Sequence, residues 1–371
     1  MMRFLHVVRE SLLKTLSNIV GIVERRNTMP ILSNIMICKD KGNKVAFITT
    51  DIEVQMTTYA NCGFGESEAS TTVSARKFLD ILKALPDMSS VNVDLHDNKL
   101  YIESSKSRFN LQTINSDEFP VMSCPNTWEI SISLSQRDLK NLFNMVYFSM
   151  AQQDIRYYLN GMLLVFKDNC IVAVSTDGHR LAYNSTIANE FRVCKEVIVP
   201  RKTILEMQRL LQDSDDVICI DVSDTQIKFC FRDIEFISKL VEGKFPDFRK
   251  VIPINYPISF SISREIFQGS LQRVAILTND KFKGVRFHFD VDNLKISSSN
   301  TDHEEAQEEL EIEYKGNVFD VGFNVNYLLD VISNLKSDNL IWSITPDSNA
   351  SVLITVPDNP NFKYVVMPMR I

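Results

Sequence analysis

The chain has 371 residues, 44% apolar and 23% charged, which suits a globular protein; at about 100–200 residues per domain it is too long for one compact core. No apolar run approaches the about 20 residues of a membrane span, and the N-terminal MMRFLHVVRESLLK acquires charge too early for a secretory signal, so a cytoplasmic protein is expected. The net charge of −7 argues against a nucleic-acid partner unless the charge is unevenly distributed.

In chain order, Leu12, Leu16, Ile19 and Val23 predict a helix over 9–26 that ends in Arg25 and Arg26, where cations are favoured. Strands are expected in ILSNIMIC and VAFITT, then a turn at Thr50-Asp51 and a strand in EVQMTTYA. A second helix over 74–85 closes at Pro86, and VNVDL, KLYIES and RFNLQTI follow as hairpin strands.

The middle third repeats this plan. Leu139, Leu142, Phe143 and Val146 carry the spacing of an amphipathic helix over 135–151. After AQQDIRYYLNGMLLVF comes VSTDGHRLA, a β-branched run stopped by Thr176, Asp177 and Gly178, which reads as a buried strand ending in a turn. A helix over 201–212 and hairpins ending in GKFPDFRK complete this third. The last third has a helix over 263–277, strands GVRFHF and LKISSS, and the acidic run DHEEAQEELEIEY. A helix over 324–336 then places Val325, Leu328, Leu329, Ile332 and Leu335 on one face, before the apolar tail NFKYVVMPMRI.

Spacing ties the thirds together. Thr-Asp pairs begin at 50, 176 and 301; Arg76-Lys77 returns as Arg201-Lys202; and Phe119-Pro120 returns as Phe245-Pro246. A threefold repeat of α+β domains follows, 1–125, 126–253 and 254–371. The six expected helices carry a summed charge of +8, which leaves −15 on the rest, so helices gathered on one side would present a basic face to a polyanion.

Seven scattered cysteines, none spaced as CxxC, read as structural thiols. No phosphate-cradling, nucleophile-elbow or zinc-protease motif occurs, and His303-Glu304 is followed at 307 by Gln, so neither a metal nor a cofactor is expected. Asp177, His179 and Arg180 admit three readings: a structural turn, a ligand-binding edge, or an acid–base site. The methionine-containing tail is either an ordinary last strand or the wall of an adaptable groove.

Taken together, MPILSN, ARKFLDILKALP, FSMAQQDIRYYLNGML, VSTDGHRLA, VIVPRK, SKLVEGKFPDFRKVIP, NDKFKGVRF, GFNVNYLLDV and YVVMPMRI resemble the β sliding clamps of bacterial DNA polymerase III, in order and across the whole chain. The resemblance implies an α+β DNA clamp fold: three repeated domains, each with two helices and two antiparallel sheets, and two chains joined head to tail as a dimeric ring. It implies a processivity factor without enzymatic activity. Its partners are double-stranded DNA bound without sequence preference, a second copy, the polymerase III catalytic subunit, an ATP-driven clamp loader, and other proteins carrying clamp-binding peptides.

By matching position, the DNA-facing residues implied are Arg26, Arg76, Gln153, Tyr157, Tyr158, Arg201 and Lys202, although the two tyrosines equally suit a core. The implied partner-peptide pocket is Leu159, Thr176, Gly178, His179, Arg180, Leu181, Pro246, Val251, Val365, Val366, Met367, Pro368, Met369 and Arg370. The implied dimer contact sets Lys77, Lys106, Arg108, Phe109 and Leu111 against Ile276, Leu277, Glu304, Glu305 and Glu308 of the other copy. Lys250 stands where relatives carry arginine, and Gln307 where they are often acidic.

Overall fold

The computed structural model describes residues 2–23, 29–41, 43–65, 68–189, 191, 193–252 and 256–370. Among these, six α-helices form at the expected places, each shorter than its apolar spacing suggested: α1 (Arg9–Ile19), α2 (Ala75–Ala84), α3 (Gln136–Asn144), α4 (Arg201–Leu210), α5 (Arg264–Ala275) and α6 (Val325–Asn334). Arg25 and Arg26 lie outside the described residues. Of the stripe expected on α6, Leu329 is only half-buried and Val331 takes its place in the core. The segment ILSNIMIC is a strand only from Asn34, because Pro30–Ser33 form a 3-10 turn with the proline at its first position.

The first helix of each repeat is tied down the same way. The Thr49 hydroxyl donates to the Ile19 carbonyl at 3.2 Å, Ser175 donates to Val146, and Ser298 donates to Val274 at 2.7 Å. Each hydroxyl captures a carbonyl that the helix end leaves without an intrahelical partner. At the other end, the backbone N–H groups of Arg9, Gln136 and Arg264 donate to Ser89, Asp216 and Asp338, in the loop that follows the second helix of the same repeat. Arg9 adds its guanidinium, which donates to the Leu82 and Lys83 carbonyls at 2.6 and 3.1 Å and so caps α2.

These bonds correct one reading of the sequence. The last residues of the equivalent strands are Thr50, Thr176 and Ser299, so the third turn is not built on Thr301-Asp302. Asn300 replaces the aspartate there, and its Oδ1 accepts from the Asp302 and Glu304 N–H groups at 3.0 Å each.

By contacts the chain divides into two compact units, Met1–Gln136 with Arg209–Leu240, and Arg137–Gln208 with Val241–Ile371. The first holds α1 packed against α2 and a twelve-stranded antiparallel sheet. Its strands run in the spatial order Met2–Val8, Ser90–His96, Lys99–Ser104, Ser107–Ile114, Ala69–Ser74, Asn34–Lys39, Lys44–Thr50, Val54–Asn61, Ile234–Lys239, Gln226–Phe231, Val217–Val222, Ile130–Ser135. The second unit holds α5 packed against α6 and two antiparallel sheets. One sheet runs Lys195–Pro200, Gly161–Lys167, Cys170–Thr176, Arg180–Ile187, Asn359–Val366, Val352–Val356, Asn339–Ile344, Ile258–Ser263; the other runs Glu305–Glu311, Asn293–Ser299, Gly284–Asp290, Phe319–Asn324. An aromatic core of Phe260, Phe267, Phe287, Phe323 and Trp342 fills the space between these sheets and α5.

Successive repeats join by strand pairing. The strand after the first Thr-Asp turn, Val54–Asn61, pairs with Ile234–Lys239, and the one after the second, Arg180–Ile187, pairs with Asn359–Val366. One equivalent bond starts each junction: the Lys239 N–H donates to the Glu53 carbonyl and the Met367 N–H to that of His179, both at 2.9 Å.

Among the described residues, no helix is long and apolar enough to cross a membrane.

Candidate functional site

The stretch from Thr176 to Arg180 is a turn whose polar groups are nearly all engaged in building it. The Thr176 hydroxyl donates to the Arg180 carbonyl at 2.6 Å and accepts from the Gly178 N–H at 3.1 Å. Asp177 Oδ1 accepts from the N–H groups of His179 and Arg180, and Oδ2 accepts from Arg180 Nε at 3.1 Å. With its carboxylate committed in this way, Asp177 does not orient His179 as a proton carrier, and of the three readings the acid–base one loses its support.

Arg180, 9% exposed, is the hub of the site. Besides Asp177 it donates to Asp330 Oδ2 and to the Phe148 carbonyl, both at 2.7 Å, and its guanidinium lies 4.4 Å from the centre of the Tyr327 ring. A planar fork with five donors can hold a turn, a helix and the 3-10 turn Tyr147–Ser149 together.

Above the turn sits Arg156. It forms a two-pronged pair with Asp154 at 3.0 and 2.9 Å and donates to the Asp177 carbonyl at 3.2 Å. Hydrogen bonds from Arg156 hold the Asp154 carboxyl down to about 2. The close approach depends on Gly178, whose φ is +93° and where a Cβ would lie 3.1 Å from both terminal nitrogens of Arg156.

These elements frame a crevice of about 230 Å³. Its walls are Tyr158, Leu159, Leu181, Phe245, Pro246, Phe248, Val251, Val365 and Met367, and its polar rim is Arg156, Thr176, Gly178, His179 and Arg180. An apolar slot with a few fixed polar groups has the make-up of a site for an extended apolar segment or a small apolar ligand.

Ten of the fourteen expected pocket residues therefore come together, and four do not. Val366 is fully buried beneath the crevice, because side chains alternate along its strand. Pro368, Met369 and Arg370 line a separate cleft of about 750 Å³ with Arg286, Asp320, Gly322 and Ser351, because the Met369 N–H bonds to the Gly322 carbonyl at 2.8 Å and turns the tail that way. Met367 borders both openings. Sequence reasoning missed Arg156, Phe245 and Phe248 as crevice residues and placed Tyr158 elsewhere. Phe245, read only as part of a repeat marker, stands next to the expected pocket residue Pro246, and that adjacency was the available signal.

The residues expected to face DNA are more scattered in character. Arg26 is outside the described residues. Arg76 is half-buried and donates to the Val23 carbonyl at 3.3 Å; Arg201 is half-buried, donates to Met150 at 3.3 Å, and has its pKa lowered by that burial. Lys202 is half-buried in the first turn of α4. Gln153 is exposed at φ +55°, and Tyr157 is 57% exposed. Tyr158 is half-buried against the apolar cluster under the crevice, so core and crevice share it.

Of the residues expected at a dimer contact, Lys77, Lys106, Arg108, Glu304 and Glu305 are exposed, and Phe109, Leu111 and Leu277 are half-buried. Ile276 is 77% exposed. Three of the charges already have partners within the chain, one of them Glu304, whose Oε2 accepts from Asn300 Nδ2 at 2.6 Å. Glu308 accepts from Arg273 at 2.7 and 2.8 Å, a bond that lowers its pKa, and Arg108 bonds Glu103 at 2.9 Å.

Comparison with known proteins covers the chain end to end. Models of the DNA polymerase III beta subunit match as its N-terminal domain over residues 2–123, its central domain over 133–247 and its C-terminal domain over 249–370. The beta sliding clamp of Pseudomonas putida KT2440 is 39% identical over 368 residues, 98% of this chain and 99% of the relative. That of Escherichia coli K12 is 38% identical over 367 residues, with the same coverage of each chain. The crystal structure of the DNA polymerase III subunit beta from Pseudomonas aeruginosa superposes with a TM-score of 0.95 at 38% identity, covering 100% of both chains.

Proposed function

The chain belongs to the DNA polymerase III beta subunit family, and on that premise we propose that two copies close head to tail around duplex DNA and hold a replicative polymerase on its template by topology. It is a sliding clamp and not an enzyme.

The observation that carries the ring is the pairing pattern of the strands. Two junctions between repeats are made within the chain, each by the strand after the turn of one repeat meeting the last hairpin strand of the next. The third such strand, Glu305–Glu311, is the edge of its sheet. The corresponding last hairpin strand of the first repeat, Ser107–Ile114, meets Ala69–Ser74 only at Thr113 and Ile114, which leaves its earlier residues as an edge among the described residues. Open edges are templates for pairing, and a second copy supplies the complement of each. Lys77, Lys106, Arg108, Phe109 and Leu111 then meet Ile276, Leu277, Glu304, Glu305 and Glu308, a basic apolar edge against an acidic apolar one. Arg108 and Glu308 exchange or share their present partners in that contact.

In this reading the chain is three domains, 1–125, 126–253 and 254–371, with the helices lining the hole. Arg76, Gln153, Tyr157, Arg201 and Lys202 then face the DNA. Tight phosphate contacts would immobilise a protein, whereas a closed ring stays on even when each contact is weak and screened by salt. The crevice beside Arg180 receives apolar peptides of the polymerase III catalytic subunit, of an ATP-driven clamp loader and of other partners. The protein works in the cytoplasm. The experiment is retention on nicked circular DNA: a ring stays on the circle in high salt and leaves when the circle is linearised, and retention on the linear molecule would refute the reading.

A further inference from the structure

Two of the seven cysteines stand directly opposite each other. Cys219 and Cys230 are cross-strand partners in the hairpin formed by Val217–Val222 and Gln226–Phe231. Both lie on the face of the sheet turned away from the core, since their neighbours Ile218, Ile220 and Phe229 are fully buried, Cys219 is exposed and Cys230 is half-buried. The ladder runs without a bulge, so the class of the pair can be counted from the turn. The Ser223 N–H donates to the Gln226 carbonyl at 2.9 Å, and hydrogen-bonded and non-hydrogen-bonded pairs alternate, which puts Cys219 and Cys230 in a hydrogen-bonded pair. Such a pair has Cα atoms about 5.5 Å apart, within the reach of a disulfide, but Cβ atoms spaced more widely than a relaxed disulfide prefers.

We propose that Cys219 and Cys230 are a reversible oxidation site, which a low-molecular-weight disulfide converts from dithiol to a cross-strand disulfide. The exposed Cys219 thiolate attacks one sulfur of the reagent RSSR, forming a Cys219–S–S–R bond and expelling RS⁻. The Cys230 thiolate then attacks the Cys219 sulfur and expels the second RS⁻. The two cysteine protons end on the two released thiols, so the protein loses two electrons and the reagent gains them. The wide spacing makes the product readily reopened by a thiol, which suits a sensor better than a structural staple.

The surroundings set the order of the two steps. Burial pushes the Cys230 thiol up to about 11 against the opposing pull of Lys228, and Glu235, Asp221 and Cys219 add to the rise. Cys219 is therefore the attacking thiol and Cys230 the slow, resolving one. Cys124 and Cys194 are also exposed, yet neither lies in a strand, so neither has a cross-strand cysteine with which to close a disulfide.

The test is to equilibrate the intact protein with graded mixtures of reduced and oxidised glutathione, alkylate it, and map the peptides by mass spectrometry. Alkylation should be lost at Cys219 and Cys230 together, a peptide linked through both should appear, and a reducing thiol should reverse both changes. The variant Cys230→Ser should instead accumulate glutathione on Cys219, while Cys219→Ser should leave Cys230 open to alkylation under denaturing conditions. A wild-type protein that holds glutathione on Cys219 without closing, or that is oxidised only at Cys124 and Cys194, would overturn the proposal. Both serine variants sit on the outer face of the hairpin, and circular dichroism of each checks that the fold is kept.

Discussion

Ile52 and Gly178 occupy the same point of the same turn, at φ +80° and +93°. In both copies an aspartate side chain accepts from the N–H groups two and three residues on, and a threonine hydroxyl donates to the carbonyl four residues on. A left-handed conformation costs an L-residue about 1–2 kcal/mol, and a β-branched one tolerates it worst. Ile52→Gly is therefore expected to stabilise the protein by about 1 kcal/mol, even after the freer unfolded chain takes back part of the gain. A higher urea midpoint at unchanged slope would show this, and a lower midpoint would contradict it. Asp154 gives a second test at this scale. Its folded pKa is depressed to about 2 by the bonds from Arg156, so its contribution is complete above the unfolded value of about 3.9 and is lost as the pH falls through about 2. A carboxyl NMR titration should place its midpoint near that low value, and Arg156→Ala should return it to the ordinary range.

The last strand, Asn359–Val366, and the tail behind it do separable jobs. Val366 is paired with both Arg180 and Val352 and is fully buried, so cutting before it would unzip a core strand. A chain ending at Val366 keeps those pairs and loses Met367, whose N–H closes onto His179 and whose side chain walls the crevice. Its affinity for a labelled clamp-binding peptide should fall about tenfold or more, a loss of at least about 1.4 kcal/mol by fluorescence anisotropy, while sedimentation still reports a dimer. Much of this element-level plan could be read from the chain, because helices carry 3.6-residue apolar spacing and the second Thr-Asp turn repeats the first. What could not be read has physical causes. The third turn escaped because asparagine serves there as well as aspartate, which moved the true match two residues back to Ser299. The helix over 135–151 looked longer than α3 because Val146 continues the apolar stripe, yet the Ser175 hydroxyl takes its carbonyl and Val146 leaves the helical region at φ −130°. Pro368, Met369 and Arg370 share the tail's apolar composition with Met367, and only the bond to Gly322 sends them to a different cleft.

At the scale of the molecule, the proposed ring depends on surfaces that one chain leaves unsatisfied. Ile276 ends α5 with 77% of its surface exposed, beside the half-buried Leu277 and on the same unit as the open edge Glu305–Glu311. A chain working alone would gain nothing by holding an aliphatic side chain in water, whereas burying it on association contributes up to about 1.5–3 kcal/mol in each of two equivalent contacts. Ile276→Asp should therefore convert the dimer to monomers in sedimentation, because each contact would lose a buried aliphatic side chain and gain a desolvated fourth carboxylate against the three cations Lys77, Lys106 and Arg108. Its cost to the fold of the single chain should stay within about 0.5 kcal/mol, as is usual for exposed positions, so the melting of the isolated monomer should barely move. Loss of the dimer with the fold intact would place the closing contact at α5 and its neighbouring edge. A variant that remains dimeric would show that the two copies meet elsewhere.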